Sequence, residues 1–232
     1  MVPGTSEVGA MFDRIAPTYD RLNRLLSLRS DVRWRDCVAR ALAARRIRSV
    51  LDVATGTGDL LLAIDRRLPR LTRTVGVDLA PDMLHIARDK LARAGCAAKL
   101  TLGDAHRLPF EEHSFDAVTV AFGIRNMDDR PRALTEMRRV LARGGTLAVL
   151  EFSLPESPRL RALYLTYFRH VLPAIGRLVS GDGQAYRYLN ASVETFPFGT
   201  RFVTMLRQAG FPEVTTRPLT FGVATLYLAR KS

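Results

Sequence analysis

Three acidic positions, each at a turn where an apolar run ends, are the residues of this chain best suited to chemistry. The first lies in Asp52-Val53-Ala54-Thr55-Gly56-Thr57-Gly58-Asp59, where a short apolar stretch meets a helical one. Gly56 and Gly58 permit a tight turn and let a ligand approach with no Cβ in the way. The stretch is not a G-x-G-x-x-G fingerprint, because Leu61 stands at the third glycine position, and no Gly-Lys-Ser/Thr follows as in a phosphate-binding P-loop. Asp59 at the helix start would repel a pyrophosphate and tolerate a cationic amino-acid end. Asp78 closes the next apolar run, 21 residues after Thr57. An acid at that distance is placed to accept from both hydroxyls of a ribose; a helix cap is the plainer role, though Asp82 could supply one. Gly103-Asp104-Ala105 ends the third run. There a carboxylate can accept from an exocyclic adenine amine, with Ala105 leaving room for the ring. Together the three tips point to an adenosine site.

The elements that must position these tips alternate regularly. Strands are predicted at 49–54, 73–78, 99–103, 115–121 and 146–152, and helices at 59–68, 81–94 and 130–141, the last closed by Gly144-Gly145. Repeated βα units of this length predict an α/β fold, a doubly wound and mostly parallel sheet with helices on both faces. Two helices are expected over 11–46, with Pro17 breaking the first turns. Residues 1–10, small and polar, read as disordered. Residues 154–199 read as a helical insertion, with helices at 157–172 and 184–194 and with Tyr164, Tyr167, Phe168, Tyr186 and Tyr188 along them. A helix at 200–209 precedes a final pair of strands, 212–217 and 222–230, expected as a hairpin at one sheet edge. Residues 11–232 are thus read as one domain.

Composition bounds the rest. The chain has 232 residues and a net charge of +12, and of its 35 basic residues only Lys90, Lys99 and Lys231 are lysines. Basic chains suggest a nucleic acid or an anionic membrane surface as partner. The arginines are scattered over predicted helices, however, so solvated helix faces account for them more simply than a nucleic-acid groove. Cys37 and Cys96 fit neither a disulfide framework nor a zinc site, and a reducing cytoplasm is the expected compartment. No apolar run is long enough to span a membrane, and the N-terminus lacks the pattern of a secretory signal. His85, His106, His113 and His170 show no metal-binding spacing, so no metal is expected. His106, close to Asp104, could act as a base; a solvated loop is its simpler account.

The run Asp-x-Ala-x-Gly-Thr-Gly-Asp, then Gly76-Val77-Asp78, then Gly103-Asp104-Ala105 resembles the class I S-adenosylmethionine-dependent methyltransferases. Two further stretches are similar to the signatures of the quinone-biosynthesis C-methyltransferases, which make menaquinone and ubiquinone. These are Tyr19-Asp20-Arg21-Leu22-Asn23-Arg24-Leu25-Leu26-Ser27 with Trp34-Arg35, and Arg139 to Ser153. Phe122-Gly123-Ile124-Arg125-Asn126 is also similar to a segment of that family, and the likeness spans about residues 10–230. It implies a seven-stranded Rossmann-like sheet and S-adenosylmethionine held by Asp52, Gly56, Thr57, Gly58, Asp78, Asp104, Ala105 and Ala121. The implied reaction is C-methylation of a prenylated quinol, with demethylmenaquinol favoured over a benzoquinol. The chain departs from the family at Arg29 and Asp31, where glycine and histidine are usual, and at Ala142-Arg143, where Lys-Pro is usual.

Carbon methylation needs a nucleophilic ring carbon, and ionising a ring hydroxyl makes one; a phenol-like pKa near 10 requires that anion to be stabilised. Arg125 is the candidate stabiliser, with a salt bridge to Asp128 or Asp129 as the equal alternative. Asn126 could bond the ring oxygen or orient Arg125. Tyr19 could bind or deprotonate a hydroxyl, or be a core aromatic. The aromatics between 164 and 188 would line a prenyl channel or simply pack a core. The prenylated substrate makes a peripheral contact with an anionic membrane surface the expected location, and a homodimer stays open. Two other functions compete. A nucleic-acid methyltransferase would carry an Asn/Asp-Pro-Pro-aromatic run where Ala121 to Asn126 stand, or a nucleophilic cysteine; the intact glycine turn and acidic tips argue against degeneration to a non-catalytic cofactor-binding scaffold.

Overall fold

The computed structural model describes residues 5–171 and 183–232. In chain order it contains α1 (Thr5–Leu26), α2 (Ser30–Ala43), β1 (Ser49–Val53), α3 (Asp59–Arg67), β2 (Arg73–Asp78), α4 (Pro81–Arg93), β3 (Lys99–Leu102) and β4 (Phe115–Ala121). A 3-10 turn at Ile124–Asn126 leads to α5 (Arg130–Val140), β5 (Leu141–Phe152) and α6 (Pro158–Thr166), which continues as a π-helical turn, Tyr167–Val171. The chain then forms α7 (Gly183–Thr195), α8 (Thr200–Gln208), β6 (Glu213–Leu219) and β7 (Ala224–Arg230).

The seven strands form one sheet in the order β3-β2-β1-β4-β5-β7-β6. Six run in one direction, and β7 alone is reversed, antiparallel to both β5 and β6. Alternation along the central strands feeds two cores, because successive side chains leave opposite faces of a strand. Val50, Ala117, Ala148 and Leu150 meet Trp34, Val38 and Leu42 of α2 and Leu60 and Ile64 of α3. Leu51, Val53, Val118, Val120, Leu147 and Val149 meet Leu134 and Met137 of α5 and Phe202 and Leu206 of α8. The strand order reverses direction between β1 and β4, which opens a crevice at the carboxyl ends of those strands.

The fold differs from the pattern-based reading at three places. Residues 5–10 are helical rather than disordered, and residues 1–4 lie outside the described residues. The helix also runs through Pro17 without ending. A mid-helix proline costs about 3 kcal/mol, and tertiary packing offsets it here: Ala16 is buried against Ala80 and Met83 at the start of α4. The last two strands form the expected hairpin at one sheet edge, with β7 beside β5 and β6 outermost. Strand β5 begins at Leu141 rather than 146, and its Gly144 turns through φ +71° where the pairing with β4 shifts register.

Candidate active site

The three acidic tips converge. A cleft of about 720 Å³ of empty volume, open on one side, sits over the carboxyl ends of β1, β2 and β4. Of the positions picked out in the sequence, Tyr19, Gly56, Asp78, Asp104, Ala121 and Asn126 line it. Asp78 is bound into the glycine turn: its Oδ2 accepts from the Gly56 amide at 2.7 Å and its Oδ1 from the Ala80 amide at 2.9 Å. Each carboxylate oxygen keeps a second lone pair for a ligand. Burial raises the Asp78 pKa above its usual value, against the lowering effect of the Ala80, Gly56 and Leu79 amides.

Asp52, Thr57, Gly58, Ala105 and Arg125 lie behind this lining. Asp52 is fully buried under the turn and accepts from the hydroxyls of Thr119 at 2.6 Å and Thr55 at 2.7 Å. Burial pushes its pKa up to about 6, the two hydroxyls opposing. It shapes the turn from below. Gly58 turns through φ +80°, a conformation that favours glycine, and a Cβ there would meet Ala87 and Leu91 of α4 only at ordinary contact, 3.4 and 3.6 Å. Ala105 belongs to the core beside Leu108. Thr57 donates to Asp20 Oδ1 of α1 at 2.6 Å, joining a charged cluster that the sequence did not reveal. Lys90 of α4 donates to Asp20, to Asp59 Oδ1 at 2.7 Å and to Thr57 Oγ1 at 3.0 Å, while Arg24 reaches Asp59 at 3.5 Å. The cluster ties α1 across the glycine turn. Burial pushes the Asp59 carboxyl up, but Arg35, Lys90 and Arg24 together hold it below its usual value.

Arg125 departs furthest from the expectation. Its partner is neither Asp128 nor Asp129 but Glu151, at the end of β5: Nη1 to Oε1 is 2.9 Å, with the guanidinium and carboxylate 5% and 0% exposed. The same Nη1 donates to the Phe122 carbonyl, and the Arg125 amide reaches Glu151 Oε2 at 3.2 Å. Arg125 also lies over the Phe152 ring, 5.3 Å from its centroid. Asn126 remains at the cleft; its Nδ2 reaches the Phe122 carbonyl at 3.4 Å and its Oδ1 accepts from Tyr188 at 3.3 Å. The insertion thus reaches the site through Tyr188. Phe168, stacked on Tyr164 and packed on Val193, belongs instead to a small core, and the Tyr186 side chain lies outside the described residues. Tyr19 lines the cleft from α1, and burial raises its pKa despite Arg125 and Arg35.

His106, which the sequence left between a base and a solvated loop residue, also lines the cleft. His106 is 7% exposed, so it does not stand in a solvated loop. Its Nδ1 is 2.7 Å from Asp104 Oδ1; its Nε2 is 3.0 Å from Asp128 Oδ1, out of hydrogen-bonding line. Ala54 and Phe122 line the cleft in left-handed conformations, φ +53° and +58°. Such strain costs on the order of 1–3 kcal/mol per residue and clusters at functional sites. Gly123 is required between them, because an added Cβ would lie 2.6 Å from Ala54 Cβ.

A model of the ubiE/COQ5 methyltransferase family matches residues 1–231. The chain belongs to that family. It is 50% identical over 222 residues to the ubiquinone/menaquinone biosynthesis C-methyltransferase UbiE of Syntrophotalea carbinolica, with 96% of this chain and 93% of that protein covered. It is 47% identical over 224 residues to a demethylmenaquinone methyltransferase of Deinococcus radiodurans, covering 97% and 92%. Among solved structures, a methyltransferase from Thermotoga maritima superimposes with a TM-score of 0.68 at 23% identity, covering 96% of this chain and 99% of that one. That likeness shows the fold, the class I methyltransferase architecture.

Within this ubiE/COQ5 family member, one departure at the α1–α2 corner, Asp31, has structural partners. Asp31 is buried, accepts from Ser27 Oγ at 2.7 Å and pairs with Arg35 at 2.7 Å. Arg35 in turn stands 5.4 Å from the Phe122 ring centroid. The corner therefore supports the wall of the cleft rather than its floor.

Proposed function

We propose that the chain transfers the methyl group of S-adenosylmethionine to a ring carbon of demethylmenaquinol, giving menaquinol. Carrying this reading is the near full-length likeness to demethylmenaquinone methyltransferases together with the cleft at the tips of β1, β2 and β4. The residues fit the donor. Gly56 has nothing within 4 Å of where a Cβ would stand, so the turn is open to a ligand. Asp78 accepts ribose hydroxyls, Asp104 faces the adenine side, and Ala54, Met83 and Met127 supply apolar wall.

When bound, the sulfonium supplies an activated methyl group and leaves as a neutral thioether. The protein's part is alignment and control of charge and water. Arg125 is held rigid by Glu151 and Phe122, so it acts on substrate through position: its backbone and Asn126 form the 3-10 turn at the rim. Asn126 and Tyr19 face the cleft and bind the quinol oxygens, and the ring proton passes to water after the new carbon–carbon bond forms. The relative at 50% identity is named for both quinones, so a benzoquinol is the second reading. The prenyl tail partitions into the bilayer, so the protein works at the membrane surface from the cytoplasmic side.

Purified protein given labelled S-adenosylmethionine and either demethylmenaquinol or the demethylated benzoquinol tests this reading. Labelled menaquinol, and much slower label transfer to the benzoquinol, is the expected result. Donor binding with transfer to neither ring would overturn it. Asp78→Ala should weaken donor binding by a few kcal/mol, since charge-assisted hydrogen bonds contribute about 1.5–3 kcal/mol each.

A further inference from the structure

The two most exposed large apolar side chains among the described residues are Leu28 and Phe221, each 81% exposed. Both sit at turns in the left-handed region, φ +50° and +57°, as do their neighbours Arg29 at +61° and Thr220 at +46°. A bulky residue with positive φ is uncommon and strained. Here the strain holds an apolar side chain out in water, where burial among the described residues offers it no compensation.

The two turns are neighbours in space. Trp34 Nε1, one turn into α2, donates to Thr220 Oγ1 at 2.8 Å. The segments flanking helix α6 join them: Tyr167, just after it, donates to the Leu26 carbonyl at 2.9 Å, and the turn at Gly222 lies against Pro155, just before it. Leu160 and Leu163 lie on the Tyr167 side of that helix at i−7 and i−4, and they are 41% and 68% exposed. The charge around these tips has one sign. Over residues 27–35, 156–163 and 217–222 the exposed charged residues are Arg29, Arg33, Arg159, Arg161 and Arg217 against Glu156; Asp31 is buried and paired with Arg35.

We propose that this face docks on an anionic phospholipid bilayer, with Leu28, Phe221 and Leu163 entering the acyl boundary and the arginines meeting headgroup phosphates. The proposal rests on the quinol reading above only for its purpose: it brings the protein to where a prenylated substrate resides. A single apolar tip or a few basic residues alone bind weakly, and the two signals together give a stable peripheral contact. A second copy of the chain is the less suitable occupant, because this face would set arginines against arginines.

The test is vesicle flotation of the full chain with anionic and with zwitterionic phospholipid vesicles, at low and high salt. Leu28→Asn with Phe221→Asn is the decisive variant, since asparagine tolerates positive φ and the fold is kept. The parent should float with anionic vesicles, lose most binding as salt shortens screening to about 3 Å at 1 M, and bind zwitterionic vesicles poorly. The double variant should bind anionic vesicles about tenfold less, and Arg29→Gln with Arg33→Gln should flatten the salt dependence. Methyl transfer to a short-chain, water-soluble demethylquinol should be unchanged in both variants, which separates failure of the surface from failure of the reaction. A double variant that floats like the parent would overturn the proposal. So would a parent that ignores anionic vesicles but sediments as a dimer that the double variant breaks.

Discussion

Replacing Glu151 by glutamine should unsettle the protein more than any surface change, and the structure indicates by how much. Glu151 is fully buried and accepts from three groups: Arg125 Nη1 at 2.9 Å, the Arg125 amide at 3.2 Å and the Phe152 amide at 2.9 Å. Glutamine keeps one acceptor oxygen and turns an amine toward an N–H donor. It also leaves the buried Arg125 cation without a counter-charge. Breaking a buried pair by removing one partner costs about 3–5 kcal/mol. For a chain of this length each kcal/mol lowers Tm by about 2–4 °C. Glu151→Gln should therefore melt about 6–20 °C below the parent. Because the pair also holds the turn carrying Asn126, donor affinity should change less than quinol turnover. Adding Arg125→Met to Glu151→Gln removes the stranded charge and should restore most of the stability while turnover stays low. Thermal unfolding, calorimetry of the donor and a quinol assay are the three readouts. A single variant melting within 2 °C or so of the parent would show that the pair carries no such energy. A double variant with full turnover would remove Arg125 from the site's support.

The remaining expectations are narrower. The Asp52 carboxyl is held to a pKa of about 6 by burial, so the folded state grips its proton more tightly than the unfolded chain. Stability then falls as pH rises from about 4 to about 6 and stays lowered above, by about 3 kcal/mol at 1.36 kcal/mol per unit; Asp52→Asn should remove this slope. Urea midpoints for both proteins at pH 4 and 7.5 check it, and an equal difference at the two values would contradict it. Gly123→Ala places a Cβ 2.6 Å from Ala54 Cβ, which should cost about 1–3 kcal/mol as overpacking and weaken donor binding in calorimetry. Lys90→Met leaves Asp20 and Asp59 facing without their shared cation. Limited proteolysis should then cut α1 faster by up to about tenfold, the cluster being partly exposed, whereas an unchanged cutting rate would show that α1 does not depend on it.

The sheet and its three acidic tips were legible in the sequence for a local reason. Strand alternation, the Gly56–Gly58 turn and the positions of Asp78 and Asp104 at strand ends depend on residues within a few positions of each other. The α1 helix was less legible, because Pro17 and the polar start speak against it locally and packing on Ala80 and Met83 decides it.

What only the tertiary structure decided is which partner each charged group finds. Arg125 has Asp128 and Asp129 close in sequence, yet it pairs with Glu151, 26 residues on, because parallel pairing of β4 and β5 brings that buried carboxylate beside it. Asp20 meets Lys90, 70 residues away, and that contact lays α1 over the turn. His106 reads as a solvated loop residue, yet burial against the loop carrying Asp128 makes it part of the wall. A charge pattern in sequence states which ions are available; the sheet order and the packing of helices determine which of them lose water together, and burial then sets which pairs must form.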